Sequence, residues 1–150
     1  MVTQKQIQDF LSLKTFAIIG VSRNPKKFGN AIYSELRTKN YTVYPVNPNL
    51  DKYENAICYP DLKSIPVLPD GLIIATNKEK SLGVVEDAHS AGIKNIWIQQ
   101  MSDTPEVIEY CKQNNINVIY KQCIMMFLEP VVSIHKFHRF IKKLFGRMPK

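Results

Sequence analysis

A chain of 150 residues with 45% hydrophobic and 22% charged side chains can bury a sizeable core, which excludes a disordered segment and predicts one domain over residues 1–150. Its formal net charge is +7, and from His135 onward the tail carries six Lys/Arg and no acid, against 14 basic and 13 acidic residues before it, so the body is nearly neutral and the charge is terminal. No apolar run approaches the ~18 residues of a membrane span, and the three cysteines Cys58, Cys111 and Cys123 form no C-x-x-C pair, which argues against a disulfide frame or a zinc site.

Free thiols predict a reducing compartment. The opening stretch MVTQKQIQDFLSLKTF has no basic n-region and no long apolar core, so no signal peptide is expected and the predicted location is cytoplasmic.

Thr3 and Gln6 have capping-box spacing, and Ile7, Phe10 and Leu11 form an apolar stripe, which predicts a short first helix. TFAIIG (15–20) reads as a strand buried on both faces. KFGNAIYSELRTKN (27–40) has helical spacing, and YTVYPVNP (41–48) is a second strand stopped by prolines. Residues 49–69 contain Pro60, Pro66 and Pro69 and are expected to be an irregular connection with at most short pieces of structure.

GLIIAT (71–76) is a third apolar strand, and KSLGVVEDAHSAG (80–92) a helix closed by Gly92. NIWIQ (95–99) is a strand. TPEVIEYCKQNN (104–115) is a helix with Thr104 at the N-cap and Pro105 at its first position. INVIY (116–120) is the last strand, and 128–146 is predicted as a final helix with Ile134, Phe137, Ile141, Leu144 and Phe145 on one face.

Alternating apolar strands and helices predict an α/β fold: one doubly wound, mostly parallel five-stranded sheet of Rossmann-like type. Right-handed crossovers are expected to place the five predicted strands in the order 3-2-1-4-5. Ligands of such sheets bind beyond the carboxyl ends of the strands, at the switch point. The loops at 20–29, 46–49, 76–80, 99–104 and 120–128 fall on that edge.

The first of these loops, GVSRNPKKFG, carries the chemistry. Gly20 permits close backbone approach, and Gly29 permits close packing or close ligand approach. Ser22 can donate to a phosphate oxygen. Arg23, Lys26 and Lys27 supply positive charge beside a helix N-terminus, which is itself suited to anions. A nicotinamide site needs G-x-G-x-x-G and an acid at the end of the second strand. The loop lacks the former, and the second strand ends in PVNPN without an acid. The Walker G-x-x-x-x-G-K-[ST] pattern is also missing. What remains is a site for a phosphate-rich nucleotide.

AIIGVSRNPKKFGNAIYSELRTKNYTVYPVNP, with YPDLKSIP, GLIIAT, IWIQ and the Cys123 segment after it, resembles the small CoA-binding protein family. Those proteins are Rossmann-like domains related to the CoA-binding domain of the succinyl-CoA synthetase α subunit. The resemblance implies coenzyme A or an acyl-CoA as ligand. It implies that Gly20, Val21, Ser22 and the Arg23–Lys27 loop, with Lys26, contact the pyrophosphate, that Phe28 and Gly29 belong to the same cofactor site, that Val46, Asn47 and Pro48 line the adenosine side, and that Thr76, Asn77 and Lys78 bound the site from the third strand. Two stretches depart from the family pattern. Gln100-Met101-Ser102 stands where a glycine is expected after IWIQ, and IMMFLEP follows Cys123 in place of a short polar stretch. Both fall near where the resemblance puts the pantetheine arm.

Cys123, just past the last strand, reads either as a thiol placed to meet the CoA thiol or as a buried, inert cysteine. Cys111 shares a helical apolar face with Val107 and Ile108 and is expected in the core. His89, His135 and His138 show no triad or metal spacing, and no acid pair is placed for acid–base work. No catalytic constellation is found and no metal site is expected. The reading is a CoA-binding domain in a non-catalytic carrier, sensor or thiol-protection role, with a small-molecule ligand, no specific nucleic-acid partner and no membrane span. Two alternatives stay open: an NAD(P)-binding enzyme or subunit, and a basic interaction protein acting through its C-terminal helix.

Overall fold

A computed structural model describes residues 1–128; the predicted final helix, with His135 and His138, lies outside them. The first helix, α1 (Gln4–Leu11), begins at the predicted capping box, in which the Thr3 side chain accepts from the Gln6 N–H and the Gln6 side chain accepts from the Thr3 N–H. Strand β1 (Thr15–Ile19) follows, then helix α2 (Phe28–Thr38) and strand β2 (Thr42–Val46). The irregular connection holds a small hairpin, β3 (Lys52–Tyr53) with β4 (Ala56–Ile57), and a 3-10 turn at Leu62–Ser64. Strand β5 (Gly71–Ile74), helix α3 (Lys78–Ala91), strand β6 (Asn95–Gln99), helix α4 (Pro105–Gln113) and strand β7 (Asn117–Gln122) complete the alternation. Gly92 closes α3 in the left-handed conformation, and Thr104 caps α4 with Pro105 at its first turn.

The main sheet is parallel throughout, in the order β2-β1-β5-β6-β7. The third predicted strand, β5, therefore pairs with the first, and the expected order 3-2-1-4-5 is corrected to 2-1-3-4-5. Two features account for the correction. Pro45 sits inside β2, and proline cannot donate to a ladder on both sides, which keeps β2 at an edge. β5 is buried at all four residues, as a central strand must be. The outer side of β2 is covered at one point, where Val46 bridges Tyr59.

Alternation along each strand builds two cores. Phe16, Ile18, Ile73, Trp97 and Ile119 face α1, α2 and residues 123–128. Ala17, Leu72, Ile74, Ile96, Ile98 and Val118 face α3 and α4. Phe10 stacks on Phe16 at 5.0 Å between ring centres and meets Trp97 edge-on at 5.5 Å, an arrangement aromatic pairs favour. Among the described residues no helix is long and apolar enough to cross a membrane.

The consequence for a ligand is topological. From β1 the chain turns to one face of the sheet through α2; from the adjacent β5 it turns to the other face through α3. The switch point thus lies between β1 and β5, and the two following loops part there to open a crevice.

Candidate functional site

A cleft of about 1020 Å³ occupies that crevice, at the upper end of the roughly 300–1,000 Å³ common for ligand sites. Of the residues singled out in the sequence, Gly20, Val21, Ser22, Lys27, Phe28, Val46, Asn47, Pro48, Thr76, Asn77 and Lys78 line it. Arg23, Lys26, Gly29 and Cys123 are not on its wall.

Backbone packing decides the near wall. Gly20 has φ +136°, and a Cβ there would stand 3.0 Å from the Ala75 Cβ with the Ala75 carbonyl closer still. At Gly29 an added Cβ would stand 3.0 Å from the Gly20 Cα, again with the carbonyl nearer. The two glycines stack β5, β1 and the first turn of α2 against one another. Their missing side chains make room for protein backbone and so carry the N-terminus of α2 onto the cleft.

Two asparagines hold the loops in place. The Asn30 side chain, in the first turn of α2, accepts from the Ser22 N–H at 2.8 Å and donates to the carbonyls of Ser22 and Asn24 at 2.9 and 3.0 Å. Ser22 Oγ accepts from the Asn24 N–H, which leaves its O–H as a donor. The Asn47 amide donates to the Val21 carbonyl at 2.9 Å and accepts from the Asn49 N–H at 2.8 Å. Asn47 therefore ties the end of β2 to the end of β1, and a carboxylate there would have no proton for Val21. Arg23 donates to the Asn49 carbonyl at 3.1 Å and braces the same junction.

The far wall is bolted by serines. Ser102 Oγ donates to the Thr76 carbonyl and the fully buried Ser81 Oγ donates to the Ser102 carbonyl, both at 2.6 Å. Sequence reading gave Asn30, Ser81 and Ser102 no part in holding the loops. KFGN contained the first, but its role needs the folded loop, and the serines meet across 21 residues.

The helix starts differ in a telling way. α1 and α4 are closed by threonine side chains bonded to backbone N–H groups. α2 and α3, the helices whose first turns line the cleft, begin at Lys27 and Asn77, and neither cap side chain makes a capping bond. Two partial positive charges thus converge on the cleft together with Lys27, Lys78 and Lys80. Acids line it too: Asp61, Glu79, Asp87 and Asp103. Hydrogen bonds from the Ser64 hydroxyl and N–H hold the Asp61 carboxyl below its usual range.

Cys123 is 2% exposed in the core beside α2, away from the cleft. Burial raises the Cys58 thiol and pushes the Cys111 thiol up to about 11, so both are protonated near neutrality. Among the described residues no group of three or more His, Cys, Asp or Glu is placed to hold a metal ion.

The family model described as "CoA binding domain" matches residues 14–129. The chain belongs to this CoA-binding-domain family. ADP-forming acetate–CoA ligase I of Archaeoglobus fulgidus is 29% identical over 84% of this chain, which spans only 20% of the ligase; the resemblance is to one part of that larger enzyme. A conserved hypothetical protein from Pyrococcus furiosus has a similar solved structure, with TM-score 0.71 and 31% identity over 74% of this chain and 96% of its own. The acetyl-coenzyme A synthetase 1 of Ca. Korarchaeum cryptofilum, solved with phosphate and ADP, matches 71% of this CoA-binding domain and 25% of its own chain, with 27% identity and TM-score 0.63.

Proposed function

We propose that this chain binds coenzyme A or an acyl-CoA in the cleft between β1 and β5, with residues 1–150 acting as one binding domain. The observation that carries the reading is the pair of helix starts at the cleft whose cap residues, Lys27 and Asn77, make no capping bond, while α1 and α4 are capped by threonine. The partial positive charge of those two helix starts suits a diphosphate. Ser22 donates to it, and Lys27 offsets its charge. Asn47 supports CoA over NAD, because it offers no carboxylate to hold a ribose diol. Arg23 and Lys26 flank the α2 side and favour a ligand with a further phosphate.

The residues on the wall bind and orient, and none is arranged as a nucleophile with its base. The reading is therefore a carrier, sensor or thiol-protection role for CoA in the cytoplasm. Calorimetric titration with CoA and with NAD tests it. Saturable heat for CoA at a ligand concentration where NAD gives none is expected. Heat for NAD alone, or equal affinity for both, would restore the dehydrogenase-type alternative.

A further inference from the structure

We infer that Met101 is a specificity-determining residue of the cleft, an apolar cap over the thiol end of the ligand arm that favours a short apolar acyl thioester of CoA over free CoA. The inference rests on the CoA-binding reading above.

Met101 stands in an unusual place. The Ser102 N–H donates to the Gln99 carbonyl at 2.9 Å, which closes a four-residue turn, and Met101 occupies its third position with φ +74°. That is the backbone of a type II turn, whose third position belongs to glycine because a Cβ is strained there. Met101 is also 86% exposed and belongs to neither core among the described residues. Turn preference and packing in the fold therefore both speak against a methionine here. Met101 lines the cleft, and a ligand surface is what its exposed side chain is free to cover.

The turn is rigid enough to present that side chain. Ser102 Oγ is bonded to the Thr76 carbonyl, Ser81 Oγ to the Ser102 carbonyl, and the Gln100 N–H to the Gln122 carbonyl at 3.1 Å. The wall bearing Met101 is fixed to β5, α3 and β7 together.

The placement selects the part of the ligand. In an open α/β sheet the nucleotide half lies by the end of the second strand, here Asn47 and Pro48, with phosphate at the start of α2. An arm extending from there across β5 would reach the turn after β6, where Met101 lines the cleft. Asp103, beside Met101 on the same wall, is unsuited to a phosphate and tolerates an uncharged end. A methionine is flexible and polarizable, which suits a range of short apolar chains more than one fixed shape.

Calorimetry with CoA and butyryl-CoA on wild type, Met101→Gly and Met101→Leu tests the inference, with melting temperature read alongside. Wild type is expected to bind butyryl-CoA about tenfold more tightly, since each fully buried methylene is worth a factor of about four. Met101→Gly should bring the preference down to about twofold or less, by losing more affinity for butyryl-CoA than for CoA, and melt no lower than wild type, because glycine suits the turn. Met101→Leu should keep the preference. Equal binding of the two ligands by wild type, a preference that survives in Met101→Gly, or a loss there by the same factor for both ligands would overturn the role of Met101 while leaving CoA binding intact. No heat for either ligand with wild type would overturn the CoA reading itself and this inference with it.

Discussion

Replacing Gly29 by alanine is expected to destabilise the protein and weaken its hold on CoA, although alanine is the better helix former. The added methyl would stand 3.0 Å from the Gly20 Cα and nearer still to the Gly20 carbonyl, against a favourable carbon–carbon separation of about 3.5–4.0 Å. The obstacle is backbone just past the end of β1 and cannot rotate aside, so α2 must retreat. Overpacking of this kind costs about 1–3 kcal/mol, and the helix-propensity gain of up to about 1 kcal/mol offsets only part of it. A net loss of about 1–2 kcal/mol lowers the melting temperature by roughly 2–8 °C for a chain this size. Gly83 is the matched control: in α3, a Cβ there meets nothing within 4 Å. Gly83→Ala should gain about 0.5–1 kcal/mol. One thermal-melt assay reads both, and the shifts should be opposite in sign. A Gly29→Ala protein as stable as wild type would refute the close approach of α2 to β1.

Asn47→Asp should cost about 1–3 kcal/mol, because the carboxylate loses the donor to the Val21 carbonyl and faces it with like charge; thermal melting at neutral pH checks this, and unchanged stability would count against the Asn47 tie. The Cys111 thiol predicts alkaline instability. The folded state binds this proton more tightly than the unfolded chain does, so its stabilisation is complete below pH 9.0 and is lost as pH rises toward about 11. Tyr33, Tyr41 and Tyr53, also raised by burial, act in the same direction at higher pH. Melting temperature should fall over this interval, and less steeply in Cys111→Ala; parallel curves for the two proteins would argue against the cysteine as the cause.

Local signals in the chain were read well where the cause is local. The Thr3–Gln6 box, Thr104-Pro105 and Gly92 each act within one helical turn, and the structure bears them out at the same residues. The apolar strand runs likewise declare themselves by burial on both faces. Strand order departs from the expected one although its signs are in the sequence, since Pro45 and the wholly apolar GLII carry it once edge and centre are weighed. The sequence offers Gly20 for close ligand approach and Gly29 for either packing or a ligand; both admit backbone, a distinction that needs three dimensions. The serine relay joins Thr76, Ser81 and Ser102 across separate loops, and no spacing rule reveals it. Met101 was visible as a departure from a glycine pattern, and the turn geometry supplies the reason it matters.

The central claim, that CoA occupies the cleft between β1 and β5, is tested most directly by amide chemical shifts of labelled protein titrated with CoA. Saturable shifts are expected at Gly20, Ser22, Asn47, Asn77, Lys78 and Ser102, with α1 and the β3–β4 hairpin unmoved. No saturable change, or changes confined to residues off the carboxyl edge of the sheet, would contradict the account.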